Sequence, residues 1–308
     1  MAGGRCSLIR LENRFCFASP NKMTCRDQSS CNYTNIAMVR NTLSYLDTGL
    51  APGMQYYYRI KALNYSGETT TSIETNVMTL TNGVTIPLGS LALWLKADSG
   101  HGSGAVNVWI DQSTNNNSAS FSSTYATAAP RWSGFDTNGN SVISFFRTNA
   151  FVLPPFLAHG TQAEAFVVLR SFGSPFNNQV GLWWMSSASL QALYPASTNS
   201  IRDNFGRGSV SALVFGGYTN FSKLHLYNPV CTSNEWSAAF NNGSHVLIDT
   251  TNAPNFSTGY SLLGLADNTT HNYFSGEITE IMIFNRALTQ PERDIVSANY
   301  LNKRYKLW

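Results

Sequence analysis

The sequence predicts an all-β fold built as two sandwiches, and three observations carry that prediction. Charged residues are 12% of the 308, about half the usual share, while aromatics reach 13%. The missing charge is replaced by 31 Asn and 62 Ser plus Thr, types that favour turns and strands over long helices. Apolar and polar residues also alternate with period two in the most legible segment, Tyr56 to Ala62. The length suits two cores better than one. Disorder needs low hydrophobicity with high net charge, whereas this chain is 43% hydrophobic with net charge +3. The same composition excludes a coiled coil or helical bundle.

Basic residues are scattered except for Lys303, Arg304 and Lys306, so a nucleic-acid partner is not expected. Those three suit the C-terminus of a helix, where cations complement the dipole. No stretch approaches the ~18 consecutive apolar residues of a membrane span. Met1-Ala-Gly-Gly-Arg-Cys6 has no apolar segment behind its positive charge, so no signal peptide is visible. Composition leans toward a piece of a longer chain that is secreted or displayed on the cell surface.

Cys6, Cys16, Cys25 and Cys31 crowd into the first tenth of the chain. No CxxC spacing or nearby histidine supports zinc; either one or two local disulfides form, with all three pairings open, or all four cysteines stay reduced. Cys231 stands apart and is expected to be a buried or partly exposed free thiol. Asn32, Asn64, Asn116, Asn220, Asn242, Asn255 and Asn268 each begin an N-x-S/T sequon. The Asn and Ser/Thr frequencies alone generate about six, so the sequons carry no information about compartment.

From Asp47 to Asn64 the chain gives a Pro52-Gly53 turn and then a half-buried strand, with Tyr56, Tyr58, Ile60 and Ala62 on one face. Asn64-Tyr-Ser-Gly67 turns, and Ile73 to Leu80 is β-rich. The pattern L-x-P-G-x-x-Y-x-Y-x-I-x-A-x-N-x-x-G resembles the F-strand region of a fibronectin type III domain, an immunoglobulin-like sandwich. The resemblance runs from about Tyr33 to Leu80 and lacks the family's early tryptophan. It implies that the Tyr56 hydroxyl bonds back to the backbone near the preceding turn. Thr81 to Ser90 has Asn-Gly and Pro signals of a linker, which places the boundary near residue 84: domains 1–84 and 85–308.

The second segment opens Leu91-Ala-Leu-Trp-Leu-Lys-Ala-Asp98 and continues to Val106-Asn-Val-Trp-Ile-Asp-Gln-Ser-Thr-Asn-Asn-Asn117. It closes with Ser275-Gly-Glu-Ile-Thr-Glu-Ile-Met-Ile-Phe-Asn-Arg-Ala-Leu288. Asn138-Gly139 and Asn242-Gly243 are hairpin signals. Thr289, Pro291 and Glu292 form a helix start, after which Ile295, Ala298, Leu301 and Tyr305 can lie against a sheet. These openings and closings resemble the bacterial LamG-like members of the concanavalin A-like lectin/glucanase superfamily, across residues 91 to 308. The resemblance implies a jelly roll with a C-terminal helix. It also implies an extracellular, non-catalytic module of a larger multidomain chain, whose partner is a glycan or a cell-surface or matrix protein.

Candidate chemistry is sparse. GxSxG, HExxH, Walker and GxGxxG motifs are absent, and His101, His159, His225, His245 and His271 lack metal spacing. Glycoside hydrolases need two carboxyl groups flanking one bond; Glu277 and Glu280, three apart, fall on opposite faces of a strand unless a bulge intervenes. The loop 111–117 admits two readings. Its oxygens suit calcium, with Asp111, Asn115 and Asn117 assisted by Asp98 or Glu280; the plainer reading, which the sequence favours, is an Asx turn bonded to its own backbone. The related family usually has glycines where Thr114 and Asn116 stand. Trp94, Trp109 and Trp236 fit core packing. Of the adjacent Trp183 and Trp184, one must face outward, making it a sugar-stacking platform to which Tyr194, Asp203 and Asn204 can add hydrogen bonds.

Overall fold

A computed structural model describes residues 85–308 except 137, 173–179, 188–191, 209–212 and 267–271. Before residue 85 it describes 8–16, 18–19, 22–23, 34–39, 47, 55–64, 67–71 and 75–78. The chain divides into two compact units, Met1–Thr85 and Ile86–Trp308. Apart from the C-terminal helix and short turns, the described structure is β.

In the first unit Leu8–Cys16 pairs antiparallel with Thr34–Val39 on one side and Gln55–Asn64 on the other. Gln55–Asn64 then pairs with Gly67–Thr71 and Thr75–Met78. The apolar face expected on this strand is covered only at its start: Tyr56 is buried, but Ile60 is 46% exposed. Tyr58 donates its hydroxyl to Asp47 Oδ2 at 2.9 Å, tying the strand to the segment before the turn. Cys6, Cys25, Cys31 and the Cys16 side chain lie outside the described residues, and the disulfide expectation with them.

The second unit is organised around Gly276–Phe284. One edge of this strand pairs along its length with Ala163–Ser171. Its other edge pairs with Ser141–Phe145 in the first half and Leu91–Lys96 in the second. A strand hydrogen-bonded on both edges and covered on both faces reads as a near-continuous apolar run, and all but one of its nine residues are buried. The sheet extends through His225–Thr232, Glu235–Phe240 and Val246–Asp249 on one side, and Arg131–Phe135 and Gly104–Ala105 on the other. The two Asn-Gly pairs lie between adjacent antiparallel strands, as hairpin turns require.

A second sheet runs Val108–Trp109, Ala119–Ser120, Phe151–Leu153, Ser261–Leu263, Trp183–Trp184. The main core, including Leu93, Leu95, Trp109, Phe145, Phe151, Val167, Trp183, Tyr227, Trp236, Ile281 and Ile283, brings side chains of both sheets together. Three further strands, Leu193–Ser197, Ser200–Asp203 and Leu213–Gly216, form a small sheet.

The other face of the large sheet is covered by the C-terminal helix. Glu292 reaches back to the Thr289 N–H at 2.9 Å and is gripped by Arg286. After Gln290–Asp294 the helix is π-helical over Ile295–Asn302. A π turn takes more residues than an α turn, which shifts the buried stripe from the expected spacing. Val296, Leu301 and Tyr305 pack on Leu91, Phe166, Val168, Met282 and Phe284, while Ala298 is half-buried.

Two fully buried carboxylates lie under this helix. Glu164 accepts from Arg293 at 2.7 and 3.0 Å, the Leu288 N–H at 2.8 Å and Asn228 at 3.0 Å. Glu280 accepts from the Trp94 indole at 2.6 Å, Tyr300 at 2.7 Å and Tyr305 at 2.5 Å. A buried charge left without its partner is strongly destabilising. Arg293→Ala is therefore expected to lower the unfolding free energy of the second unit by about 3–5 kcal/mol. The double variant Glu164→Gln/Arg293→Met should recover most of that loss in urea melts; an Arg293→Ala loss below about 1 kcal/mol would contradict the assignment.

Candidate functional site

Trp183, Tyr194, Asp203 and Asn204 do come together, but inside the core, where no glycan reaches them. All four are at most 2% exposed. The Trp183 indole donates to Asp203 Oδ1 at 2.9 Å, and Tyr227 donates to Oδ2 at 2.8 Å. The backbone N–H groups of Asn204 and Phe205 also bond Oδ1, and the Asn204 amide donates to Ser186 Oγ at 3.0 Å. Tyr194 meets His225 Nε2 at 2.5 Å, while His225 Nδ1 faces the Lys223 carbonyl at 2.7 Å. Nδ1 donates to that carbonyl, and burial, which pushes His225 down to about 4, keeps the ring neutral near pH 7 so that Nε2 accepts from Tyr194. The polar residues expected in loops thus bond to one another and to Ser186 between packed aromatics, which makes their burial tolerable, although Asn204 Oδ1 meets no donor among the described residues.

The residues expected to hold calcium are bonded to separate protein partners. Asp111 accepts four hydrogen bonds, from the Trp94 N–H, Ser113 N–H, Ser113 hydroxyl and Asn117 N–H, at 2.7–2.9 Å. Its lone pairs are thereby occupied. Asn115 and Asn117 donate their amides to the Leu91 and Ala92 carbonyls at 2.6 and 2.8 Å, lacing the loop to the Leu91–Lys96 strand. Asp98 pairs with Arg304, and Glu280 is enclosed under the helix. Among the described residues no three His, Cys, Asp or Glu side chains are grouped as metal ligands. The geometry is that of the Asx turn.

Glu277 and Glu280 are not on opposite faces. Glu280 pairs with Val168 and Ile278 with Leu169, so Thr279 is an extra residue in the ladder. This bulge, in which the Thr279 hydroxyl donates to the Val168 carbonyl at 2.9 Å, resets the alternation and puts both carboxylates on the helix side. Neither stands ready as an acid or base. Arg170 holds Glu277 at 2.6 Å, and Glu280 is saturated. Cys231 is free, buried and bonded to the Asn252 amide at 3.1 Å, and burial pushes its thiol up to about 12.

Trp184 is the outward member of its pair. It is half-buried and belongs to a cluster with Leu262, Val152, Phe121, Tyr125, Tyr260 and Tyr273, away from the main core. Its ring meets Tyr260 edge-on at 5.5 Å, and Tyr260 lies 4.9 Å from Tyr125. Hydrogen bonding to Tyr260, then burial, pushes the Tyr125 hydroxyl up to about 12; Tyr273 donates to the Tyr125 carbonyl at 2.7 Å. Phe121 and Tyr125 come from one loop and Tyr260 from another, with no periodicity in their local sequence, so only the fold reveals their adjacency to Trp184.

No family model matches the chain, and no curated protein matches it significantly. Among solved structures it is similar to the binding domain of Paraclostridial Mosquitocidal Protein 1, with TM-score 0.50 and 10% identity, covering 70% of this chain and 53% of that one. Domain 4 of AbnA, a GH43 extracellular arabinanase from Geobacillus stearothermophilus, in complex with arabinotriose, gives TM-score 0.45 and 11% identity, covering 68% and 98%. Trypanosoma rangeli sialidase in complex with sialic acid gives 0.46 and 13%, covering 80% and 43%. The second unit is a jelly-roll-type β-sandwich. The chain spans less than half the length of the sialidase, and at these identities the likeness concerns fold alone. No described helix is long and apolar enough to cross a membrane.

Burial pushes His225 down to about 4 from about 6.5 in an unfolded chain. The unfolded state therefore takes up a proton first, and stability falls as pH drops from about 6.5 to about 4. His245, pushed down to about 3 mainly by burial, adds a loss of the same sign. Asp203 opposes them: burial raises it to about 6 against its hydrogen bonds, so its protonation favours the folded state as pH falls below about 6. Thermal melts should show the parent protein losing more stability than His225→Gln over this window; equal slopes would contradict the buried neutral histidine. Excess EDTA should leave the parent melting temperature unchanged, whereas Asp111→Ala should lower it with or without added Ca²⁺. A melting point that rises with Ca²⁺ and falls with EDTA would restore the calcium reading.

Proposed function

We propose that this chain is a non-catalytic, extracellular carbohydrate-binding module of a larger surface protein, with a fibronectin type III-like unit preceding a LamG-like jelly roll. The observation that carries the reading is the outward aromatic face of Trp184 with Tyr260 and Tyr125. Half-exposed rings of this kind accept the C–H faces of sugar rings and need no metal. The hydroxyls of Tyr125 and Tyr260 are bonded to each other, and each hydroxyl oxygen has two acceptor lone pairs that sugar hydroxyls can address.

Catalysis receives no such support, because the carboxylate pair expected from the sequence, Glu277 and Glu280, is already committed to Arg170 and to the helix. A spacer or protein-interaction role is the competing reading, and binding data separate the two. On a glycan array the full chain should show saturable binding that does not require Ca²⁺. Trp184→Ala should weaken it tenfold or more, a typical effect of removing an aromatic anchor. Absence of saturable binding to any glycan, or full binding by the folded Trp184→Ala variant, would overturn the proposal.

A further inference from the structure

Beside the end of the C-terminal helix, Asp98, Phe135, Asn140, Arg304 and Tyr305 line a cleft of about 320 Å³, at the small end of small-molecule sites. None of these residues belongs to the Trp184 face. Phe135 is 68% exposed, the most exposed of the large apolar side chains among the described residues. It is nevertheless supported, because its ring meets Trp132 edge-on at 6.1 Å and Trp132 packs 5.8 Å from His101. Trp132 is itself fixed by donating to Ser141 Oγ at 2.7 Å.

The loop beside this ring is built to hold one shape. Gly134 and Gly139 adopt φ of +90° and +81°, a conformation other residues rarely enter. Asp136 accepts from the Asn138 and Asn140 N–H groups at 2.9 and 2.8 Å and from the Asn140 amide at 3.2 Å. The Asn140 amide is thereby oriented, and its Oδ1 accepts no hydrogen bond from the described residues. Arg304 is immobilised too: it pairs with Asp98, donates to the Tyr305 hydroxyl at 3.0 Å and reaches Glu280 at 3.5 Å. An arginine has five N–H donors, so this one keeps donors to spare. Asp98 Oδ1 has only long contacts, 3.4 Å to Ser99 and 3.7 Å to Lys96.

We infer that this cleft is a second ligand site, and that it takes a single neutral sugar unit with its apolar face against Phe135 and adjacent hydroxyls shared between Asp98, Arg304 and Asn140. The charges decide the class. Lys96 and Arg304 are balanced by Asp98 and Glu280, while Asp136 is bonded to the N–H groups of its own loop, so an anionic ligand would meet the Asp98 carboxylate and a cationic one the guanidinium. A hydroxyl both donates and accepts, which is what an aspartate–arginine pair offers in one place. The inference takes its ligand class from the proposed function and its location from separate residues.

The test is nuclear magnetic resonance on the ¹⁵N-labelled full chain, titrated with the methyl pyranosides of glucose, galactose, mannose and N-acetylglucosamine, and with methyl glucuronide. At least one neutral glycoside should shift the Gly139 and Asn140 signals saturably. Phe135→Ala, whose side chain is mostly exposed and whose fold the same spectra verify, should abolish the response. Methyl glucuronide should bind at least tenfold more weakly than its neutral counterpart. No shift at Gly139 and Asn140 with any glycoside, an undiminished response in Phe135→Ala, or equal binding of the glucuronide would each overturn the inference. The Trp184 indole signal separates this outcome from the first reading. A response there alone defeats the cleft and supports the Trp184 platform; a response at the cleft alone does the reverse.

Discussion

The burial of Glu164 and Glu280 under the C-terminal helix is the constraint from which the arrangement of the second unit follows. Both carboxylates sit on strands at the middle of the large sheet and have no exposure. An ion in that position is tolerable only if every strong acceptor site meets a donor. Strand residues alone cannot supply those donors, so the helix must dock with Arg293 over Glu164 and with Tyr300 and Tyr305 over Glu280. Burial and the Glu280 charge push both tyrosine hydroxyls upward, which keeps them protonated as donors. The widened turn over Ile295–Asn302 is part of this fit, since it moves Val296 rather than Ala298 onto the sheet. Much of that face is thereby closed by the helix, and both proposed ligand surfaces lie elsewhere, on the far side and at the edge of the helix.

The same logic governs the interior between the sheets. Asp203 is enclosed with Trp183, Tyr227 and two backbone N–H groups, and Tyr194 is paired with a neutral His225. These are the residue types that hold sugars, and here they hold one another. Residue chemistry does not separate the two uses; exposure does. Trp183 and Trp184 are chemically identical neighbours, yet strand alternation sends one into the core and the other to the outer aromatic cluster.

Most of the fold was legible because it rests on local signals. The Asn-Gly hairpins, the Thr289 helix start and the apolar run ending at Phe284 are each written in a few adjacent residues. What was not legible depends on long-range pairing. The bulge at Thr279 is defined only against Val168 and Leu169, and without it Glu277 and Glu280 fall on opposite faces. The fate of Asp111 was equally hidden, because one of its donors, the Trp94 N–H, lies 17 residues away in another strand. The candidate platform was half legible: one outward tryptophan followed from alternation, but its companions Tyr125 and Tyr260 come from loops joined only by folding.

The central claim is that ligand chemistry lies on the outer surface and that the inner aromatic network is structural. Oxidation of tryptophans by N-bromosuccinimide, located by peptide mass spectrometry with and without the best-binding array glycan, tests it most directly. Trp184 should be oxidised in the free protein and protected by the glycan, while Trp109, Trp183 and Trp236 remain unmodified in both samples. Glycan-dependent protection of Trp183, or oxidation of Trp184 that the bound glycan leaves unchanged, would contradict the account.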